Sequence, residues 1–206
     1  MLTLLRDKLS ALPATDYLIG SSRDQAAVLL AITRSEDNPS LVLTKRSELL
    51  TTHSGEVSLP GGKWDPQDAD LRHTALRETW EEVGIAPQDV ELLGALPVAH
   101  TWRGVSVAPY VGLIDENTLY TPNADELDAI FHVPLQFFLD DQRIRTDVFD
   151  RKLGNVWAPA YEYDGFEIWG FTARLVASFL NDVFEADIGL EHSAPVKRWS
   201  AQTGAS

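Results

Sequence analysis

Glu78, Glu81 and Glu82 stand at i, i+3 and i+4, a spacing that places three carboxylates on one face of a helix. The segment from about Asp70 to Val83 can be helical, with Leu76, Thr79, Trp80 and Val83 on another side that can be buried. Gly84 follows the last turn, where a helix often closes on a left-handed residue. Each like-charge pair on an exposed helix costs roughly 0.2–0.5 kcal/mol. Arg77 can offset part of this by reaching Glu81, four residues on. No lysine is interleaved with the glutamates, so the missing counter-charge is expected from outside the chain. Oxygen-only ligands select hard cations, Mg²⁺ first and Mn²⁺ second. The triplet alone is equally compatible with an ordinary acidic helix face.

The flanking residues narrow that choice. Arg77-Glu78-Thr79-Trp80-Glu81-Glu82-Val83-Gly84-Ile85 resembles the second half of the Nudix hydrolase signature, Arg-Glu-x-x-Glu-Glu-x-Gly-apolar, with Thr79 where an aliphatic residue is usual. In the first half, Gly62 lies one residue further from Arg77 than the general pattern has. Asp68 takes the acidic position, while Ala69 has the nominal spacing. That shift is similar to the coenzyme A pyrophosphatase branch, in which Gly-Gly-x-x-Asp-x-x-Asp precedes Thr-Ala-Leu-Arg-Glu. Lys63, Asp65, Asp68 and Thr74-Ala75-Leu76-Arg77-Glu78 follow it. An upstream stretch agrees: Leu43-Thr44-Lys45-Arg46-Ser47, then His53-Ser54-Gly55-Glu56-Val57-Ser58-Leu59-Pro60-Gly61-Gly62. Here Thr51 stands where the branch usually has Arg, Leu59 replaces Phe, and Glu56 stands where Gln is common.

The resemblance implies an α+β Nudix fold, an α/β/α sandwich with a mixed β-sheet packed between helices. It implies a metal-dependent pyrophosphohydrolase that cleaves coenzyme A or acyl-CoA to 3′,5′-ADP and 4′-phosphopantetheine or its acyl form. Glu78, Glu81, Glu82 and the backbone carbonyl of Gly62 would hold Mg²⁺ or Mn²⁺. The general base would be Glu81, with Glu126 second, and Arg77 would orient the glutamates. Arg46, Lys45, His53, Gly61 and Lys63 would contact substrate. Lys45 and Arg46 also read as a solvated strand end, and His53 as a loop hydrogen-bonder. Two alternatives stand beside this reading: a Nudix pyrophosphatase for another nucleoside diphosphate such as ADP-ribose, and a non-catalytic nucleotide-binding Nudix module.

Composition bounds the partners. The chain has 206 residues and 44% hydrophobic content, enough for one domain with appendages. It has no cysteine, so thiolate metal sites and disulfides are excluded. It has no apolar run of about 18 residues and no signal-peptide pattern at its start. A cytoplasmic protein, monomeric or homodimeric and without a membrane partner, is expected. A net charge of −14 argues against nucleic acid binding through a basic surface. It also repels anionic substrates, which makes bound cations a requirement of the phosphate-handling reading.

The rest of the chain supplies positioning elements. Leu2, Leu5, Leu9 and Leu12 predict a helix ended by Pro13, packed on the domain or serving a dimer interface, then a loop over 14–24. Gln25–Thr33 reads as a central strand and Leu41–Thr44 as its neighbour. Val90–Leu96 and Val105–Ile114 read as strands, Pro109 marking a bulge or an edge. Between them, Trp102 could stack on a base or simply pack. Asn123–Leu135 resembles a unit of Nudix domains in which an acidic loop carrying Glu126 enters a strand and Pro134-Leu135 starts a short helix. Strands are expected over 143–149 and 158–169, with a hairpin at Tyr163-Asp164-Gly165-Phe166, then a helix from Trp169 to about Phe184. The expected divisions are 1–24 appended, 25–186 the Nudix domain, and 187–206 loosely ordered.

Overall fold

The computed structural model describes residues 1–11, 24–150 and 154–200. The expected stop at Pro13 and all but the last residue of the 14–24 loop lie outside the described residues. The chain forms two compact units, Met1–Gln136 and Phe137–Ser206.

The first unit begins with α1 (Leu2–Ala11), which buries Leu2, Leu5 and Leu9 as their spacing predicts. Its Arg6 holds Glu91 through two nitrogens at 3.1 and 2.9 Å. Strands β1 (Gln25–Thr33), β2 (Ser40–Arg46), β3 (Val57–Ser58) and β4 (Gly61–Lys63) lead to helix α2 (Leu71–Val83). A 3₁₀ turn at Pro87–Asp89 precedes β5 (Glu91–Ala95), β6 (Ala99–His100), β7 (Ser106–Ile114) and β8 (Leu127–Pro134). The strands form one mixed sheet in the order β3-β2-β1-β7-β5, with β4 paired to β1, β6 to β7 and β8 to β2.

β1 is apolar along both faces and lies at the centre. It runs parallel to β7 from Gln25↔Ser106 to Thr33↔Ile114. The pairing with β2, its expected neighbour, is brief, at Ile32↔Leu41. β2 then continues along β8, from Ser40↔Pro134 to Arg46↔Leu127. Pro109 does not mark an edge, because β7 is paired on both sides. It falls between the stretch held by β5, which ends at Ala95↔Tyr110, and that held by β6, which starts at Ala99↔Val107. A missing N–H there interrupts neither pairing. The bulge expected nearby lies on β5, between Leu92 and Gly94.

Ala27, Leu29, Ala31 and Val42 of the sheet pack with Leu71, Ala75, Val83 and Ile85 in one buried cluster. This is the surface on which α2 rides. The helix faces differ from expectation at two residues. Trp80 is 56% exposed, whereas Glu82 joins Leu71, Thr74, Ala75, Thr79 and Val83 on the buried stripe. Thr79, where an aliphatic residue is usual, is buried and bonds its hydroxyl back to Ala75 O at 2.7 Å.

The second unit contains β9 (Arg145–Phe149), β10 (Val156–Tyr163), β11 (Phe166–Ile168), α4 (Gly170–Phe184) and β12 (Val196–Trp199). The short helix α3 (Leu135–Leu139) spans the point where the units meet in sequence. The sheet order is β11-β10-β9-β12. The predicted hairpin forms with Tyr163↔Phe166 paired, and Asp164 and Gly165 both take positive φ, 49° and 80°, as a primed turn requires. Within the segment expected to be loosely ordered, β12 runs parallel to β9. Its Trp199 is the anchor, stacked near Phe149 and Trp169 with centroids 6.0 and 5.5 Å away. Among the described residues, no helix is long and apolar enough to cross a membrane.

Candidate functional site

The site is built around α2. Asp70 caps its start, Oδ1 accepting from His73 N at 2.7 Å, which satisfies one of the orphan amides of the first turn. Gly84 closes its end in the left-handed region, donating to Trp80 O at 3.0 Å. A strap just before β8 docks on the same end: Thr121 N donates to Val83 O and Asn123 N to Glu82 O, both at 2.9 Å. Along its flank runs β4. A side chain at Gly61 would strike the Ala27 carbonyl, and one at Gly62 would strike the Glu78 carboxylate. The glycine pair therefore lets backbone and helix carboxylates approach as no other residue could.

The three signature carboxylates occupy different surroundings. Glu82 is almost wholly buried, its side chain 4% exposed. Oε2 accepts from Gly61 N at 3.0 Å, and Oε1 lies 3.9 Å from Arg46 Nη1. Burial pushes its pKa up to about 7; the Gly61 amide and Arg46 pull against this, while Glu78 and Glu126 add to it. Glu78 is also raised, first by burial, with Arg77 opposing and Glu81 and Glu126 adding repulsion. Glu81 is half exposed, 3.1 Å from Arg77 Nη1. The four glutamates, one of them from a distant loop, thus form one electrostatically coupled group. Among the described residues, no trio of His, Asp or Glu side chains closes on a single point.

Arg77 supplies much of the counter-charge that the sequence assigned to an outside ion. Besides Glu81, it meets Glu78 Oε1 at 3.0 Å and donates to Lys63 O at 3.3 Å. Its firmest partner is Asp68, contacted by Nε at 2.8 Å and Nη2 at 2.9 Å. Asp68 has no exposed side-chain surface. Asp65 N and Thr74 Oγ1 also donate to it, at 3.1 and 2.8 Å, and His73 Nδ1 lies 2.9 Å away. Above all, the Arg77 guanidinium holds the Asp68 carboxyl far below the usual carboxylate range, and Asp68 in turn raises Arg77. The sequence placed Asp68 in the signature but assigned it no role; its one-residue displacement from the nominal acidic position was the available signal.

The predicted substrate contacts divide. Arg46 sits beside the carboxylates, and its Nε is buried without a hydrogen-bond partner. Lys45 turns instead to Glu48 at 2.8 Å and Asp128 at 3.8 Å. His53 pairs with Glu56 at 2.8 Å in an exposed turn, the loop-bonding alternative. Lys63 is exposed; its carbonyl, not its ammonium, is the group engaged by Arg77. Glu126 is partly buried and lies close enough to raise both Glu78 and Glu82.

Comparison with known proteins bears on the family. The NUDIX domain profile matches residues 23–152. A Citrobacter koseri protein named "Uncharacterized Nudix hydrolase NudL" is 40% identical over 157 residues, covering 75% of this chain and 80% of the relative. The protein of the same name from Klebsiella pneumoniae is 42% identical over 155 residues, covering 74% and 79%. Among solved structures, the NUDIX domain of Shewanella oneidensis NrtR complexed with ADP ribose aligns with a TM-score of 0.46 and 20% identity, over 65% of this chain and 85% of that one. Nudix hydrolases bind small nucleotide substrates, act on pyrophosphate bonds and generally use divalent metal ions. With the profile spanning more than half of its length and relatives matching over most of theirs, this chain belongs to the Nudix family.

Proposed function

We propose that the protein hydrolyses the diphosphate linkage of coenzyme A or an acyl-CoA, releasing 3′,5′-ADP and 4′-phosphopantetheine or its acyl form. The observation that carries a hydrolytic site is Glu82: a buried carboxylate with one amide donor, an arginine only at 3.9 Å and a pKa near 7. Such a group is under-compensated by the protein. The donor set of Glu78, Glu81, Glu82 and the Gly62 carbonyl is all oxygen, which fits a hard divalent cation such as Mg²⁺ or Mn²⁺. A cation held there supplies charge neutralisation for the diphosphate and a lowered pKa for water.

The chain's own residues do the rest. Arg77, anchored on Asp68, sets the directions of Glu78 and Glu81. Glu81, the most exposed of the three, is positioned to accept a proton from an attacking water, with Glu126 the second candidate. Arg46 offers a charge-assisted bond to a phosphate oxygen. The coenzyme A assignment rests on the Leu43–Ser47 and His53–Gly62 stretches and on the Asp65/Asp68 spacing of the signature. The second reading, another nucleoside diphosphate such as ADP-ribose, is favoured by Thr51, which stands where the branch has Arg and removes a phosphate contact.

A substrate panel with Mg²⁺ and Mn²⁺, resolved by chromatography, separates these. Coenzyme A or an acyl-CoA should give the highest kcat/KM, with 3′,5′-ADP as product. No 3′,5′-ADP under either metal overturns the assignment. Glu81→Gln should fold normally and lose most turnover; full activity in that variant removes Glu81 from the mechanism.

A further inference from the structure

We propose that Asn123 is a positioning residue for the carboxylate group, fixing where Glu126 stands relative to Glu82. The inference rests on the metal-binding reading of the glutamates, with Glu126 close enough to Glu78 and Glu82 to add to the negative charge a cation would meet, and not on the identity of the substrate.

Glu82 and Glu126 come from different elements and repel each other, so something must hold them together. The strap that brings Glu126 in has little packing of its own: Thr121, Pro122, Ala124 and Asp125 are all exposed. Its course is set by hydrogen bonds, and these converge on Asn123. The Asn123 amide donates to Glu82 O at 2.9 Å. Its carbonyl accepts from Glu126 N at 3.0 Å and from Leu127 N at 2.9 Å. Its side-chain Oδ1 accepts from Asp125 N at 3.2 Å, the local turn that asparagine favours. On the far side, Glu126 O accepts from Ser47 N at 2.8 Å, next to Arg46. One residue therefore joins the backbone of Glu82 to the turn that delivers Glu126, and the next bond reaches the strand end that delivers Arg46. The geometry assigns the asparagine side chain to that turn. Without it the amide of Asp125 is freed and the turn that carries Glu126 is held by backbone bonds alone.

The test is Mn²⁺ binding to the full chain, read by electron paramagnetic resonance without substrate, for wild type, N123A, N123D, E126Q and N123A/E126Q. N123A should weaken Mn²⁺ binding about tenfold, the scale of a lost supporting contact, with its metal-free melting temperature close to wild type. N123D keeps the acceptor and should restore affinity to within about twofold. Because Asn123 acts through Glu126, the double variant should bind no more weakly than E126Q alone. Wild-type affinity in N123A, or losses that multiply in the double variant, overturn the proposal. Should N123A not fold, N123S replaces it: its shorter acceptor should give an intermediate loss, and wild-type affinity there overturns the proposal equally. A wild-type chain that binds no Mn²⁺ overturns both this inference and the metal reading. Mn²⁺ binding without coenzyme A turnover overturns only the substrate assignment.

Discussion

Asp68 and Glu82 are both buried carboxylates, 5% and 3% exposed, the first just before α2 and the second on it. Asp68 is wrapped by Arg77, Thr74, His73 and the Asp65 amide, and its pKa falls. Glu82 has one amide and a distant arginine, and its pKa rises to about 7. Burial alone therefore does not decide how a carboxylate behaves; the number and charge of its donors do. The well-compensated charge is a fixture of the scaffold. The poorly compensated one is the group left with unmet demand, and it lies where the candidate chemistry is.

The comparison can be broken most forcefully at Asp68. Asp68→Ala leaves the Arg77 guanidinium without its fork and should lower unfolding free energy by about 3–5 kcal/mol in urea denaturation. A loss under about 1 kcal/mol would show that Asp68 is not the anchor. The next effect is a pH dependence with opposite signs at the two acids. Folding raises the pKa of Glu82, so the native state holds that proton more tightly than the unfolded chain. Its contribution is greatest below the unfolded pKa of 4.5 and is lost as pH climbs to about 7. Metal-free wild type should lose about 3 kcal/mol from this group over that window. Glu82→Gln should flatten that part of the curve, and an unchanged slope would refute it. Asp68, with its depressed pKa, contributes in full above 3.8 and loses that contribution only in stronger acid. The smallest effect is Thr74→Val, which deletes one donor to Asp68 and should cost about 1 kcal/mol, read as a lower melting temperature.

Local signals in the sequence carried much of the architecture. A helical segment from about Asp70 and the Gly84 stop bound α2, the leucine spacing drew α1, and Asp164-Gly165 gave its hairpin. What escaped was set by partners far away in sequence. Glu82 belongs to the buried stripe because the Gly61 amide meets it there, and Trp80 is displaced to solvent. The triplet looked short of counter-charge because Arg77 was paired with Glu81 alone, whereas its side chain also spans Glu78 and Asp68. The parallel partner of β1 could not be read locally, since nothing in Gln25–Thr33 names Ser106–Ile114. Nor did the polarity of Val196–Trp199 suggest a strand; two aromatic rings beside Trp199 hold it in place.

The parallel register between β1 and β7 has a kinetic consequence. Everything that bears on the candidate chemistry from Arg46 to Glu82 lies inside the span closed when Gln25 meets Ser106, so closing that span must meet its entropy before the sheet rewards it. Acquisition of Mn²⁺ affinity during refolding should therefore keep pace with formation of the central sheet rather than with early helix formation, and a nascent chain ending before β7 should carry the full signature while lacking its binding ability.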